Sequence, residues 1–170
     1  IATLARQATA HGLKTIVSTG DKDLAQLVDE HVTLVNTMSN ETLDSAGVKQ
    51  KFGVPPERIV DYLTLVGDAV DNVPGVEKVG PKTAGKWISQ YGSLDAIVEH
   101  AGEIGGAVGE NLRKALPWLP TARALVTVKS DCDLGGHVES VEALADRGED
   151  SERLRELFTR YEFRSWLKDI

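Results

Sequence analysis

The chain of 170 residues, 41% hydrophobic and 26% charged, has the size and composition of one globular domain or of one domain with a small appendage. It has no run of about 18 apolar residues, which excludes a membrane span, and its single cysteine, Cys132, excludes a disulfide framework and favours a reducing, cytoplasmic compartment. The net charge of −7 argues against a protein that coats nucleic acid, but it is compatible with a nucleic-acid enzyme that has a local basic patch.

The first half of the chain alternates helical and extended patterns. Apolar residues at helical spacing alternate with short β-branched runs, and glycines follow several of these segments. In chain order the pattern predicts a helix at 1–11, a strand at 13–19, a helix at 21–28, a strand at 31–37 and helices at 45–52 and 55–66. This order predicts an α/β layer with a mostly parallel sheet. Because two strands are too few for a complete sheet, we expect its other strands to precede Ile1.

The second half of the chain is helical in pattern. Predicted helices lie at 82–91, 93–100, 109–116, 121–128 and 151–161, and residues 135–150 are polar and irregular apart from a short apolar piece at 141–144. We therefore expect two parts. Residues 1–72 would form the C-terminal part of an α/β core, and residues 73–170 would form a helical subdomain.

Two pairs of aspartates stand at the ends of predicted elements. Asp21 and Asp23 directly follow the first strand, where open α/β sheets bind ligands. Asp68 and Asp71 sit at the end of a long predicted apolar helix, and their i, i+3 spacing lets both side chains face the same way. If the four converge, like charges about 4 Å apart repel by about 4 kcal/mol at an effective dielectric constant of 20, and a divalent cation would remove this cost. Mg²⁺ and Mn²⁺ prefer such oxygen ligands.

Each pair also has a purely structural interpretation. Asp21 or Asp23 could cap the helix that follows, and Asp68 with Asp71 could be a solvated helix end. Taken alone, neither pair distinguishes a metal site from these roles, so both interpretations stay open at this point.

Residues 73–84, with the sequence VPGVEKVGPKTA, contain a glycine motif. Gly75 and Gly80 have the separation of the glycines in a phosphate-binding P-loop. However, Pro81 stands where the P-loop lysine belongs and removes a backbone amide, and no predicted strand leads into Gly75. The nucleotide-binding interpretation is therefore disfavoured.

A helix–hairpin–helix explains the same motif without these conflicts. The two glycines would give the hairpin its tight backbone, its valines would pack into the core, and Pro81 suits the first turn of the next helix. The N-terminus of that helix and the lysines beside it would bind the phosphate backbone without reading base sequence. The alternative is a solvated lysine face. The residues that we assign to DNA contact are Gly75, Val76, Lys78, Val79, Gly80, Lys82, Thr83 and Lys86.

Three motifs, in this order and spacing, resemble the 5′-nuclease domain of bacterial DNA polymerase I, a member of the flap-endonuclease superfamily. They are STGDKD at 18–23, GDAVDN at 67–72 and VPGVEKVGPKTA at 73–84. The resemblance extends over essentially the whole chain, including YEFRSW at 161–166. It implies an α/β fold in which the C-terminal part of a PIN-like (resolvase-like) parallel sheet is followed by a helical helix–hairpin–helix (H3TH) subdomain.

The resemblance also implies roles for the motifs. It makes Asp21, Asp23, Asp68 and Asp71 the ligands of the second ion in a two-ion Mg²⁺ or Mn²⁺ site, with no catalytic side chain beyond these ligands. The hairpin would hold double-stranded DNA with a 5′ flap or nick, or an RNA–DNA primer junction, aided by a K⁺ ion on its backbone carbonyls. The implied activity is that of a 5′→3′ exonuclease and flap endonuclease in replication and repair. We expect a monomer with a polymerase domain C-terminal to it.

The chain departs from the family pattern in two places. In the family, the carboxylates for the first ion lie N-terminal to the position of Ile1, with a Glu-Ala-Asp-Asp segment just upstream, so we expect this chain alone to have little nuclease activity. Ala107 stands near a position where family members often have lysine, which predicts a weaker second phosphate contact. The alternative function is a non-catalytic DNA-binding module that retains only the helix–hairpin–helix.

Several aromatic side chains could stack on bases. Their helical spacing favours packing in the core instead. These residues are Trp87, Trp118, Tyr161, Phe163 and Trp166.

Overall fold

The computed structural model describes residues 1–146 and 148–170, which form two compact units, Ile1–Asp133 and Leu134–Ile170. The α-helices are α1 (Ala2–Ala10), α2 (Ser45–Phe52), α3 (Ile59–Val66), α4 (Pro81–Tyr91), α5 (Leu94–Glu99), α6 (Gly106–Ala115), α7 (Leu119–Val126) and α8 (Ser151–Arg160). The strands are β1 (Thr15–Ser18), β2 (Val32–Asn36), β3 (Glu41–Leu43), β4 (Gly67–Asp68) and β5 (Val73–Pro74). Helices of the 3₁₀ type span Lys22–Leu27, Pro56–Arg58, Glu142–Leu144 and Trp166–Lys168.

The main sheet has the order β1-β2-β3. Strands β1 and β2 are parallel, with Thr15 opposite Val32, which confirms the predicted α/β layer. Strand β3 was not predicted, and it runs antiparallel to β2 with Leu34 opposite Leu43. It has only three residues and follows a polar turn that the Asn36 side chain closes by accepting a hydrogen bond from the Met38 amide at 3.0 Å. A strand this short carries too little alternation to be predicted from its sequence.

The predicted bounds of helix α2 are confirmed. It begins where the Asp44 side chain accepts a hydrogen bond from the Gly47 amide, and it ends at Gly53 in the left-handed conformation. The predicted helix over 21–28 is instead the 3₁₀ helix Lys22–Leu27. The Asp21 side chain accepts a hydrogen bond from the Asp23 amide at 2.9 Å and so caps this helix, as the structural interpretation of that pair predicted.

Helix α3 lies at the centre of the first unit. Its Ile59, Leu63 and Leu65 side chains are at most 1% exposed, and burying each one stabilises the fold by about 1.5–3 kcal/mol. Helices α4 and α7 pack against it. The buried residues from Ala5 to Val126 form one core, so the sheet and the helices through α7 are stabilised together.

A buried carboxylate ties three of these helices together. Asp61 in α3 is 7% exposed and accepts hydrogen bonds from the Leu94 amide at 3.2 Å and from the side chains of Arg58 and Arg123. Arg123 also pairs with Asp95 at 2.8 Å. The α3, α5 and α7 helices therefore meet at one charged junction.

The second unit holds the aromatic cluster of α8 and the segment after it. The ring of Phe158 lies 5.3 Å from that of Trp166, and the Phe163 and Trp166 rings are 4.9 Å apart. The prediction of core packing is confirmed for Trp87 but is wrong for Tyr161, Phe163 and Trp166, which are between 45% and 57% exposed. A unit this small cannot cover all its aromatic rings.

Among the described residues, no helix combines the length and the apolar character that crossing a membrane requires.

Candidate metal centre and nucleic-acid interface

The two aspartate pairs lie on two short elements of the first unit. The chain leaves β1, passes through Gly20, and enters the 3₁₀ helix with Asp23 in its first turn. Asp68 belongs to β4, and Asp71 lies in the turn between β4 and β5. The prediction that the second pair ends a helix is therefore wrong. Helix α3 ends at Gly67, whose positive φ of 79° turns the chain into a small hairpin.

Two glycines hold this hairpin closed. A Cβ at Gly67 would lie 2.7 Å from the Val73 carbonyl oxygen, and a Cβ at Gly75 would lie 2.5 Å from the Gly67 amide nitrogen and closer still to the Val66 carbonyl. The backbones touch here, so no side chain fits at either position. The crossing fixes the start of the glycine motif beside Asp68.

Three of the four predicted ligands come together. Asp23, Asp68 and Asp71 each offer a carboxylate oxygen, and these atoms lie within 4.8 Å of one another. Asp21 is not in this group, because its carboxylate caps the 3₁₀ helix, but it lines the same cavity of about 320 Å³ as Asp68 and Asp71.

The charges in this cluster are unevenly distributed. The Lys22 ammonium donates a hydrogen bond to Asp68 Oδ2 and lies 3.7 Å from Asp23 Oδ1. The hydrogen bond from Lys22 holds the pKa of Asp68 below its usual range. Burial, reinforced by the neighbouring carboxylates and opposed by Lys22, raises the pKa of Asp23 to about 6. Burial alone would lower the pKa of Lys22, but the hydrogen bond to Asp68 and the surrounding carboxylates together raise it.

The cluster fits a divalent cation. Asp23 is 8% exposed, and among the described residues its Oδ1 atom has no hydrogen-bond partner. The Lys22 ammonium, 3.7 Å away, pairs with this oxygen by charge but is too far for a hydrogen bond. Because buried polar atoms are normally hydrogen-bonded, the Asp23 carboxylate retains capacity for a further positive ligand. Carboxylate oxygens alone, without sulfur or imidazole, are the donors that Mg²⁺ and Mn²⁺ prefer.

The glycine motif forms the predicted hairpin. Val76 and Val79 are 2% and 5% exposed and pack into the core, and Pro81 occupies the first turn of α4. The lysines and Thr83 lie on the outside: Lys78, Lys82 and Lys86 are exposed and Thr83 is half-buried. These side chains therefore form the outer surface of the hairpin and of the first turns of α4.

The expectation that Gly80 is needed for a tight backbone is wrong, because neither its backbone conformation nor the space around it requires glycine. Its φ is −103°, and a Cβ there would meet no atom within 4 Å. Of the two glycines in the motif, only Gly75 is held by close backbone contacts.

Three polar residues that support the site were not predicted. Lys22 stands between the two aspartates in sequence, but its contact with Asp68 spans 46 residues. Asn111, 8% exposed in α6, donates to the Glu77 carbonyl of the hairpin at 2.9 Å. Gln26 donates to the carbonyls of Asp23 and Val126, so it fastens the 3₁₀ helix to the end of α7. No local sequence signal indicates the last two contacts.

The fold and the site define a class: a resolvase-like α/β layer with carboxylates beyond its first strand, joined to a helical part through a glycine hairpin. Residues 1–53 match the model of the 5′-3′ exonuclease N-terminal resolvase-like domain, and residues 54–150 match that of the 5′-3′ exonuclease C-terminal SAM fold. The chain belongs to the 5′-3′ exonuclease family.

Individual relatives agree with this assignment. The chain is 43% identical to DNA polymerase I of Pseudomonas aeruginosa, over its whole length and 19% of the polymerase. It is 37% identical to the 5′-3′ exonuclease of Aquifex aeolicus, over its whole length and 57% of that protein. The chain thus spans about a fifth of the length of the first relative and just over half of the length of the second. The resemblance to DNA polymerase I is confirmed.

Solved structures share the fold. The structure of T5 5′-exonuclease with bound zinc superposes with a TM-score of 0.68 at 20% sequence identity. The match covers 74% of this chain and 47% of the exonuclease chain. A bacteriophage T5 flap endonuclease in complex with DNA and metal ions also superposes with a TM-score of 0.68, at 19% sequence identity. This match again covers 74% of this chain and 47% of the other chain.

Proposed function

We propose that this chain is the second-ion and duplex-holding part of a 5′→3′ exonuclease and flap endonuclease that hydrolyses phosphodiesters in DNA or RNA primers. The observation that carries the proposal is the convergence of carboxylate oxygens of Asp23, Asp68 and Asp71 within 4.8 Å, although Asp23 lies at least 45 residues before the other two. Residues 1–72 would serve as the C-terminal part of the nuclease core and residues 73–170 as the DNA-binding subdomain.

The residues of the chain would have two roles, metal binding and positioning of the duplex. Asp23, Asp68 and Asp71 would hold Mg²⁺ or Mn²⁺, and Asp21 would contribute from the same cavity, through a bound water or directly. A divalent ion held there would supply positive charge to neutralise the scissile phosphate, as in two-metal nucleases. The β4–β5 crossing would keep the hairpin, and the duplex on it, at a fixed distance from these carboxylates.

The relatives' names support the substrate class. One solved neighbour is a flap endonuclease complex with DNA and metal ions, and the two bacterial relatives described above are a DNA polymerase I and a 5′-3′ exonuclease. We infer duplex DNA with a 5′ flap or nick, or an RNA–DNA primer junction, as substrate. We also infer a C-terminal polymerase domain, a monomeric state and a cytoplasmic location.

Cleavage of a 5′-flap duplex tests the activity. The assay compares the 170-residue chain alone with the chain preceded by any upstream sequence that its gene encodes, with and without Mg²⁺. We expect Mg²⁺-dependent cleavage from the longer form, little from the chain alone, and loss of cleavage in Asp68→Asn. Duplex binding without cleavage in either form would favour the non-catalytic DNA-binding module.

The hairpin has a separate test in duplex binding. The exposed Lys82 and Lys86 lie one turn apart on α4, so both can contact phosphates on one side. Changing both to alanine should weaken binding of every sequence equally and reduce the slope of log affinity against log salt by about 0.9 for each phosphate that the variant no longer neutralises. Fluorescence anisotropy at several salt concentrations, with Ca²⁺ replacing Mg²⁺, measures this.

A control variant that removes the same charge elsewhere is Lys14→Ala with Lys49→Ala. It should leave the salt slope close to that of the unmodified protein. An unchanged slope in the Lys82 and Lys86 variant would mean that the hairpin is only a structural joint.

The proposed K⁺ ion on the hairpin carbonyls predicts tighter duplex binding in K⁺ than in Li⁺ at equal ionic strength.

A further inference from the structure

Lys22 places a positive charge inside the carboxylate cluster. It stands between Asp21 and Asp23 in sequence and begins the 3₁₀ helix, yet its ammonium reaches across to Asp68. Its side chain lines the same cavity of about 320 Å³ as Asp68 and Asp71. The ammonium is therefore within reach of the carboxylates that would hold a divalent ion.

The contact with Asp68 engages that residue's second oxygen. Asp68 is 3% exposed, and its Oδ1 atom accepts a hydrogen bond from the Val70 amide at 2.9 Å. Its Oδ2 atom accepts one from Lys22. A buried carboxylate needs a compensating positive charge. Lys22 supplies that charge, and it does so at the oxygen that the Val70 amide leaves available for an ion.

We propose that the Lys22 ammonium is a resident counter-ion of the carboxylate site and that a divalent cation must displace it from Asp68 to bind. This inference rests on the proposed metal site. The Lys22 side chain is 38% exposed and the cavity is open to solvent, so the ammonium has a path by which to withdraw. A unit positive charge a few ångströms from the ligands opposes a second cation and lowers its affinity.

The arrangement has a consequence for occupancy of the site. Without an ion, Lys22 offsets the repulsion among Asp23, Asp68 and Asp71. With an ion, the ammonium is released beside the cluster. Lys22 thus sets the divalent-ion concentration at which the site fills.

Mn²⁺ affinity tests this role without any cleavage assay. Titrations of the 170-residue chain, followed by calorimetry or by the electron paramagnetic resonance of free Mn²⁺, compare the unmodified protein with Lys22→Met. The variant keeps the length of the side chain but lacks its charge, so we expect Mn²⁺ to bind about tenfold more tightly. Lys22→Arg keeps the charge and should bind Mn²⁺ no more tightly than the unmodified protein. Lys14→Met, at the opposite end of β1, controls for net charge and should change nothing.

A stability measurement covers the case in which Lys22→Met folds poorly without metal. Removing Lys22 leaves Asp68 without its counter-charge, so the metal-free variant should melt at a lower temperature. Saturating Mn²⁺ should raise its melting temperature more than it raises that of the unmodified protein, because tighter binding to the folded state adds more stability.

A third measurement needs no variant. In the NMR spectrum of the unmodified protein, the side-chain NH₃⁺ signal of Lys22 should show an ion pair that disappears when diamagnetic Mg²⁺ saturates the site. A Lys22 signal that stays paired at saturation would overturn the proposal, as would Mn²⁺ affinity that is equal or weaker in Lys22→Met.

Asp68→Asn separates this inference from the proposed function. If the unmodified protein binds Mn²⁺ and Asp68→Asn does not, the metal site stands, and the Lys22 results alone decide the counter-ion role. If Asp68→Asn binds Mn²⁺ as well as the unmodified protein does, the proposed metal site fails and the counter-ion role fails with it.

Discussion

Replacing Gly75 with alanine should damage the fold at the point where the site and the hairpin meet. The new Cβ would lie 2.5 Å from the Gly67 amide nitrogen and closer still to the Val66 carbonyl, and these are backbone atoms that cannot rotate away. Inserting a methyl group into a packed position typically costs about 1–3 kcal/mol. We expect a cost at the upper end of that range, about 3 kcal/mol, since relief requires moving either the end of α3 or the hairpin. With a urea m-value of about 2 kcal/mol per M, the unfolding midpoint should fall by about 1.5 M.

Urea unfolding followed by circular dichroism measures this loss, and Gly80→Ser provides the matched control in the same hairpin. Gly80 has extended backbone and open space around its Cβ position, and a serine there can cap α4. The control should therefore stay within about 0.5 kcal/mol of the unmodified protein. Equal midpoints for Gly75→Ala and the unmodified protein would refute the close backbone crossing and, with it, the way in which the hairpin is held beside Asp68.

Two further predictions concern polar side chains that join elements of the first unit. Gln26→Leu should cost about 1–3 kcal/mol because it leaves the Val126 carbonyl and the Val128 amide without their partner; an unchanged urea midpoint would show that water replaces the amide at no cost. Asp61→Asn should cost about 2 kcal/mol because this buried carboxylate accepts charged hydrogen bonds from two arginines. Asp95→Asn is the control, because its carboxylate is 73% exposed, and it should cost under about 1 kcal/mol of stability. A larger loss of stability in Asp95→Asn than in Asp61→Asn, measured by thermal melts, would contradict the role assigned to Asp61.

Local chemistry accounts for what could be predicted from the sequence. The α2 helix was predictable because its cap, its apolar spacing and Gly53 all lie close together along the chain. The hairpin valines and Pro81 were predictable for the same reason. The aspartates pointed to an ion because their spacing and their position after a strand can be read directly from the sequence.

Long-range contacts account for what could not be predicted. The β4–β5 hairpin has two residues in each strand, and it exists because Gly67 and Gly75 let two backbones touch. This crossing, rather than a helix end, sets the positions of Asp68 and Asp71. The pairing of Lys22 with Asp68 depends on that geometry. The capping role of Asp21 is local, but the sequence allowed either Asp21 or Asp23 to cap the helix, so no spacing rule could have separated Asp21 from the other three aspartates.

The most direct test of the metal centre is anomalous diffraction from crystals of this chain grown with Mn²⁺. We predict one strong peak bound directly by carboxylate oxygens of Asp23, Asp68 and Asp71, at distances close to the roughly 2.0–2.1 Å that is typical for Mg²⁺, with the Lys22 ammonium no longer on Asp68. Crystals that show full Mn²⁺ occupancy elsewhere, and Lys22 still bonded to Asp68 with no peak among the three aspartates, would contradict the proposed metal centre.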